Sequence, residues 1–208
     1  MRSSRVLEML NQNRIDELKA ALQDEIFTES LKRKPDAKKR YAAMKRYLNT
    51  VSVTRDILRK PCPVEIGGVK YKAFCNSYSL ALTTEDCGEI ALCDTPNQYP
   101  SIERLINYDG TARKVDIARV IAEAKSNGYK LTKNAIYNND YLMHYDGAYF
   151  RIPLLDITYG IINDGKEARV YHVEGTRYAI TITTDIGVAV VMPVSMYDEP
   201  QGTVIEIN

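Results

Sequence analysis

The stretch RIPLLDITYGIINDGKEARVYHVEGTRYAITITTDIGVAVVMPV, residues 151–194, decides the fold. It opens on Arg151-Ile-Pro-Leu-Leu-Asp156, with Pro153 where the first turn of a helix tolerates proline. The pattern predicts a helix over Ile152–Ile162. Three strands are predicted after it, Arg169–Val173, Ala179–Thr183 and Gly187–Pro193. The stretch holds no evident nucleophile, metal cage or phosphate loop.

Upstream, the same reading gives more strands. Val64–Ile66 and Val69–Phe74 flank Gly67-Gly68, a hairpin turn signal. Tyr78–Thr83 and Glu89–Cys93 read as a second apolar pair across Glu85-Asp86-Cys87-Gly88. Val115–Ser126 carries Val115, Ala118, Ile121, Ala122 and Lys125 on one helical face and ends at Asn127-Gly128, a natural helix stop. Tyr129–Thr132, Ala135–Tyr137, Tyr141–Tyr145 and Ala148–Phe150 read as short strands, the last two joined by Asp146-Gly147.

Residues 4–60 read as helices. Ile15, Leu18, Leu22, Ile26 and Leu31 recur at roughly the helical period. Asn13 is the expected N-cap of this helix, with Asp16 and Glu17 in its first turn. Pro35-Asp36 breaks the chain, and Asp36 is expected to cap a second helix through Tyr41, Met44 and Leu48. A short third piece is predicted over Thr54–Arg59. Pro61 and Pro63 mark a boundary. The expected organisation is a helical module at 1–61 and an α+β domain of antiparallel strands at 62–208, with two helices on one face.

Charge supports two functional surfaces. Residues 1–61 carry 15 Lys/Arg and 8 Asp/Glu, a net of +7; residues 62–208 carry 13 and 19, a net of −6. In the basic part, Lys32, Arg33, Lys34, Lys38, Lys39, Arg40, Lys45 and Arg46 are candidates to meet phosphates. Apolar residues make up 45% and charged residues 26%, ordinary for a globular protein. No apolar run reaches the roughly 18 residues of a membrane span. No secretory signal is read at the N-terminus, so a cytoplasmic protein with reduced thiols is expected. Cys62, Cys75, Cys87 and Cys93 match no zinc spacing. His144 and His172 read as surface or satisfied core residues, and Asp140, Asp146 and Asp156 form no acid–base pair. No catalytic residue, metal or cofactor is expected. The 15 tyrosines, with Tyr129, Tyr137, Tyr141, Tyr145 and Tyr149 crowded together, read as sheet-edge packing.

Three segments, taken together, resemble the bacterial DNA sliding clamp, the beta subunit of DNA polymerase III. Phe74-Cys-Asn-Ser-Tyr-Ser-Leu-Ala-Leu82 is similar to that family's "ATDGHRLAL". Tyr99-Pro-Ser-Ile-Glu-Arg-Leu-Ile106 is similar to its interdomain "FPDYRRVLP". Gly187-Val-Ala-Val-Val-Met-Pro-Val194 is similar to its C-terminal "AYVVMPMRL". The resemblance covers about residues 64–194. A full clamp subunit has three domains and closes a dimeric ring; this chain has room for one and part of another. Ser77-Tyr78-Ser79 stands where the family has Gly-His-Arg.

The resemblance implies a non-catalytic protein of DNA replication whose three segments form an apolar cleft for short peptides. Carried over by position, the cleft residues are Ser77, Tyr78, Ser79, Leu80, Tyr99, Pro100, Arg104, Leu105, Val190, Val191, Pro193 and Val194. Replication proteins or short linear peptides are the implied partners. DNA is a further candidate, no membrane is involved, and the reading admits a homo-oligomer. The alternative is a nucleic-acid-binding protein that works through its basic helices, with a structural β-rich body.

Overall fold

Gly67 and Gly68, at φ 58° and 79°, close the first hairpin, joining β1 (Cys62–Ile66) to β2 (Val69–Cys75). Two successive positive φ values make the tight turn whose twist matches that of antiparallel strands. Asp146 and Gly147 repeat this between β5 (Tyr141–Tyr145) and β6 (Ala148–Arg151). The computed structural model describes residues 9–10, 14–52, 55–132, 137–194 and 201–207.

The chain is α+β. Its larger sheet has seven strands, all antiparallel, in the order β1-β2-β3-β9-β8-β7-β4. The strands not yet placed are β3 (Ser79–Thr83), β4 (Arg113–Val115), β7 (Ala168–Tyr171), β8 (Ile180–Thr184) and β9 (Gly187–Val191). A second sheet sets β10 (Thr203–Ile207) parallel to β5, with β6 on β5's other side. The four α-helices among the described residues of these lengths are α1 (Ile15–Ser30), α2 (Pro35–Leu48), α3 (Ile117–Ser126) and α4 (Ile152–Ile162).

Nine of the 11 residues of α4 are buried. A helix apolar all round belongs inside, and α4 lies against β3, β8 and β9 while also touching α2, α3, β5 and β6. The helix α3 rests on α4 and β10. Asp116 caps α3 by accepting from the Arg119 N–H at 2.8 Å. Gly128, at φ 95°, ends it, and the Tyr129 N–H reaches back to the Ala124 carbonyl at 3.0 Å.

The change from helix to strand falls at Cys62, but packing does not respect that boundary. Tyr41, Ala43, Met44 and Tyr47 of α2 share one buried cluster with α4 and the sheet. A Cβ on Gly160 would sit 3.1 Å from the Ala43 Cβ, so the small pair brings α2 and α4 together. By contrast α1 buries Leu18, while Ile15, Leu22 and Ile26 of its expected apolar stripe are exposed.

Several local expectations are corrected. Residues 89–93 form no strand; β3 pairs with β9, which offers a five-residue partner apolar on both faces. Residues 129–132 form no strand either, and Tyr129 is buried with its hydroxyl on Asp156 at 3.2 Å. Asp36 does not cap α2. Pro35 takes the first helical position, Lys34 precedes it without a side-chain cap bond, and Asp36 supplies negative charge to the first turn. The expected cap Asn13 and the strand start Ala135 lie outside the described residues, as does Thr54; Asp56–Arg59 is a 3-10 turn.

Candidate partner-binding surface

Asn76 organises the turn that enters β3. Its buried side-chain oxygen accepts the Tyr78 N–H at 3.1 Å and the Ser79 N–H at 2.9 Å. Its amide nitrogen donates to the Thr50 hydroxyl at 3.2 Å, just beyond α2. Ser77 sits at φ 76°, an uncommon conformation for a side-chain-bearing residue. The Arg55 guanidinium donates to its hydroxyl. The turn leaves Tyr78 pointing out, 43% exposed.

Two further apolar side chains gather around this end of the sheet. The Met192 N–H donates to the Tyr78 carbonyl at 3.0 Å, and Met192 is 46% exposed. The Tyr137 ring meets Tyr78 edge-on at 5.8 Å, its hydroxyl donates to the Thr50 carbonyl at 3.1 Å, and it is 50% exposed. Single exposed apolar residues are ordinary, but a gathered set is a usual mark of a contact surface.

The three segments of the expected cleft do meet, without opening into one. Ser79 pairs with Val191 and Leu80 with Val190. The Tyr99 hydroxyl donates to the Ala73 carbonyl at 3.0 Å. Yet Leu80, Val190 and Tyr99 are sealed in an apolar layer on one face of the sheet, together with Val51, Leu58 and Ile102. Val191 belongs to the layer on the opposite face. Ser79 is buried with it, accepting from the Tyr47 hydroxyl on its carbonyl at 2.6 Å and from Thr158 on its own hydroxyl at 2.9 Å. Successive strand residues point to opposite faces, so these side chains cannot line one groove, and Val194 is buried as well. What reaches the surface is Ser77, Tyr78, Pro100, Arg104 and Leu105, with Pro193 half-buried. Asn76, Tyr137 and Met192 escape a strand-period reading. Only the Asn-Ser dipeptide before a strand hints at the turn.

The basic run is also divided. Arg40 is not free to meet phosphate: its side chain is 14% exposed, and it donates to Glu85 Oε2 at 3.0 Å and to the Asn163 carbonyl at 3.1 Å. Lys45 pairs with Asp24 at 2.7 Å and lies over the Tyr41 ring. Lys32 and Lys39 form exposed pairs with Glu29 and Asp36, the kind worth little. Lys34, Lys38 and Arg46 are exposed. The Arg33 side chain lies outside the described residues.

The four thiols are free and buried, and burial pushes those of Cys62 and Cys87 up to about 11. Thiols held so far from the thiolate are poor nucleophiles. Among the described residues, no three His, Cys, Asp or Glu side chains gather as a metal cage, and no helix is long and apolar enough to cross a membrane. The chain matches no protein-family model, no curated protein and no solved structure.

Proposed function

We propose that this chain is a non-catalytic binding protein of DNA replication, related in role to part of a sliding clamp, that receives a short apolar peptide at the Tyr78–Met192 end of its sheet. One observation carries the reading. The β3–β9 pairing brings two segments far apart in sequence together, and Tyr78 and Met192, joined by the Met192 N–H on the Tyr78 carbonyl, are exposed side by side with the Tyr137 ring against Tyr78. Aromatic side chains are common anchors at such surfaces. The surface is shallow and the peptide loses freedom on docking, so affinity is on the order of micromolar, about 8 kcal/mol.

The test is calorimetry of the whole protein against a panel of short apolar peptides. Tyr78→Ala and Met192→Asp each lower affinity about tenfold or more, while far-UV circular dichroism and thermal midpoint stay near those of the parent. Silence across the panel, or binding indifferent to both substitutions, overturns the reading.

A further inference from the structure

A cavity of about 590 Å³ opens beyond the C-terminal end of α2, within the size range of small-ligand sites. Its apolar wall is Leu48, Leu131 and Ile157. Asn49, Thr50 and Thr132 add uncharged hydrogen-bonding groups. Arg46 and Arg59 are its charged lining residues, and no carboxylate joins them among the described residues. Among the described residues Arg46 forms no ion pair, and Arg59 meets the exposed Asp56 loosely, at 3.9 Å.

We propose that this cavity binds a phosphate monoester carried on a flat, largely apolar body, the chemistry of a nucleotide. The charge count selects the head group. Two guanidiniums match the roughly −1.5 to −2 charge of a phosphate monoester near pH 7, whereas a carboxylate neutralises one of them. Guanidinium also presents its N–H groups in a fork that fits phosphate oxygens. The carbonyl end of α2 opposes an anion with about half an elementary charge, which two full charges outweigh. The aliphatic wall selects the body: it gains from covering a ring and gains nothing from free phosphate. Asn49 and Thr132 offer partners to ring or sugar edges, whereas the Thr50 hydroxyl is already bonded to the Tyr47 carbonyl and the Asn76 amide. Two sources share this chemistry, a free nucleoside monophosphate and the 5′-phosphorylated end of a nucleic-acid strand.

Calorimetry on the full-length protein tests it, with AMP, adenosine, inorganic phosphate, glycerol 3-phosphate and a short oligo(dT) bearing either a 5′-phosphate or a 5′-hydroxyl. AMP is expected to bind about tenfold or more tightly than adenosine, inorganic phosphate or glycerol 3-phosphate. Arg46→Gln and Arg59→Gln each lower that affinity about tenfold, with the circular dichroism spectrum and Tyr78-dependent peptide binding unchanged. A 5′-phosphorylated strand that binds more tightly than AMP, and more tightly than its 5′-hydroxyl form, assigns the strand end; equal affinities of AMP and the phosphorylated strand assign the free nucleotide. AMP binding no better than inorganic phosphate or glycerol 3-phosphate, or affinity retained in both arginine variants, overturns the proposal.

Discussion

His172 follows β7 with its side chain buried and neither ring nitrogen hydrogen-bonded. Burial holds its pKa below the ordinary 6.5, and the Asp146 carboxylate, 3.8 Å away, offsets this only in part. The folded protein therefore keeps the imidazole neutral where the unfolded chain protonates it. Below about pH 6.5 the unfolded state binds more protons, so stability falls with pH until the lower folded pKa is passed. We expect the urea midpoint to drop between pH 7.5 and 5.5, and to drop less in His172→Gln. Equal drops in the two proteins would remove His172 as the cause. A strand position between Tyr171 and Val173 was readable in the sequence. Its burial beside Asp146 and the unpaired Tyr145 hydroxyl was not, because both come from another hairpin.

Arg40 marks the same limit one scale up. As a sequence it belongs to a basic helical run; in the fold it ties α2 to Glu85 and Asn163. Arg40→Ala leaves Glu85 half-buried without its cation, at a cost of about 1–3 kcal/mol. It should not weaken any nucleic-acid binding. A denaturation curve unchanged by the substitution would mean the pair is a surface ornament. Hairpins, α3 and α4 were legible because their signals are local: Gly67-Gly68, Asp146-Gly147, Asn127-Gly128 and Pro153 each set their own few residues. The pairing of β3 with β9 was not, since Glu89–Cys93 is apolar and near enough in sequence to compete on paper and only the distant β9 satisfies both faces of β3. The cleft failed for a related reason: similarity of segments located the meeting point, but the alternation of Leu80 with Ala81 and of Val190 with Val191 turned half of it inward.

At the scale of the molecule, the seven-stranded sheet is covered by an apolar layer on each face, and the helical segment supplies part of the larger one. Tyr41, Met44 and Tyr47 of α2 are buried there, and the Tyr47 hydroxyl donates to the Ser79 carbonyl at 2.6 Å. Burying a large apolar side chain stabilises by about 1.5–3 kcal/mol, so these three contribute roughly 5–9 kcal/mol. That rivals the whole stability of a typical domain, about 5–15 kcal/mol. Residues 1–61 and 62–208 should therefore unfold as one unit, despite the opposite charges of the two segments. In urea, the helical signal at 222 nm and the near-ultraviolet tyrosine signal should trace a single transition. Residues 62–208 expressed alone should lose the near-ultraviolet signal, because α4 and the sheet face under α2 stand in water. Two separated transitions, or a shorter chain that keeps native tyrosine dichroism, would show the helical segment to be a detachable module after all.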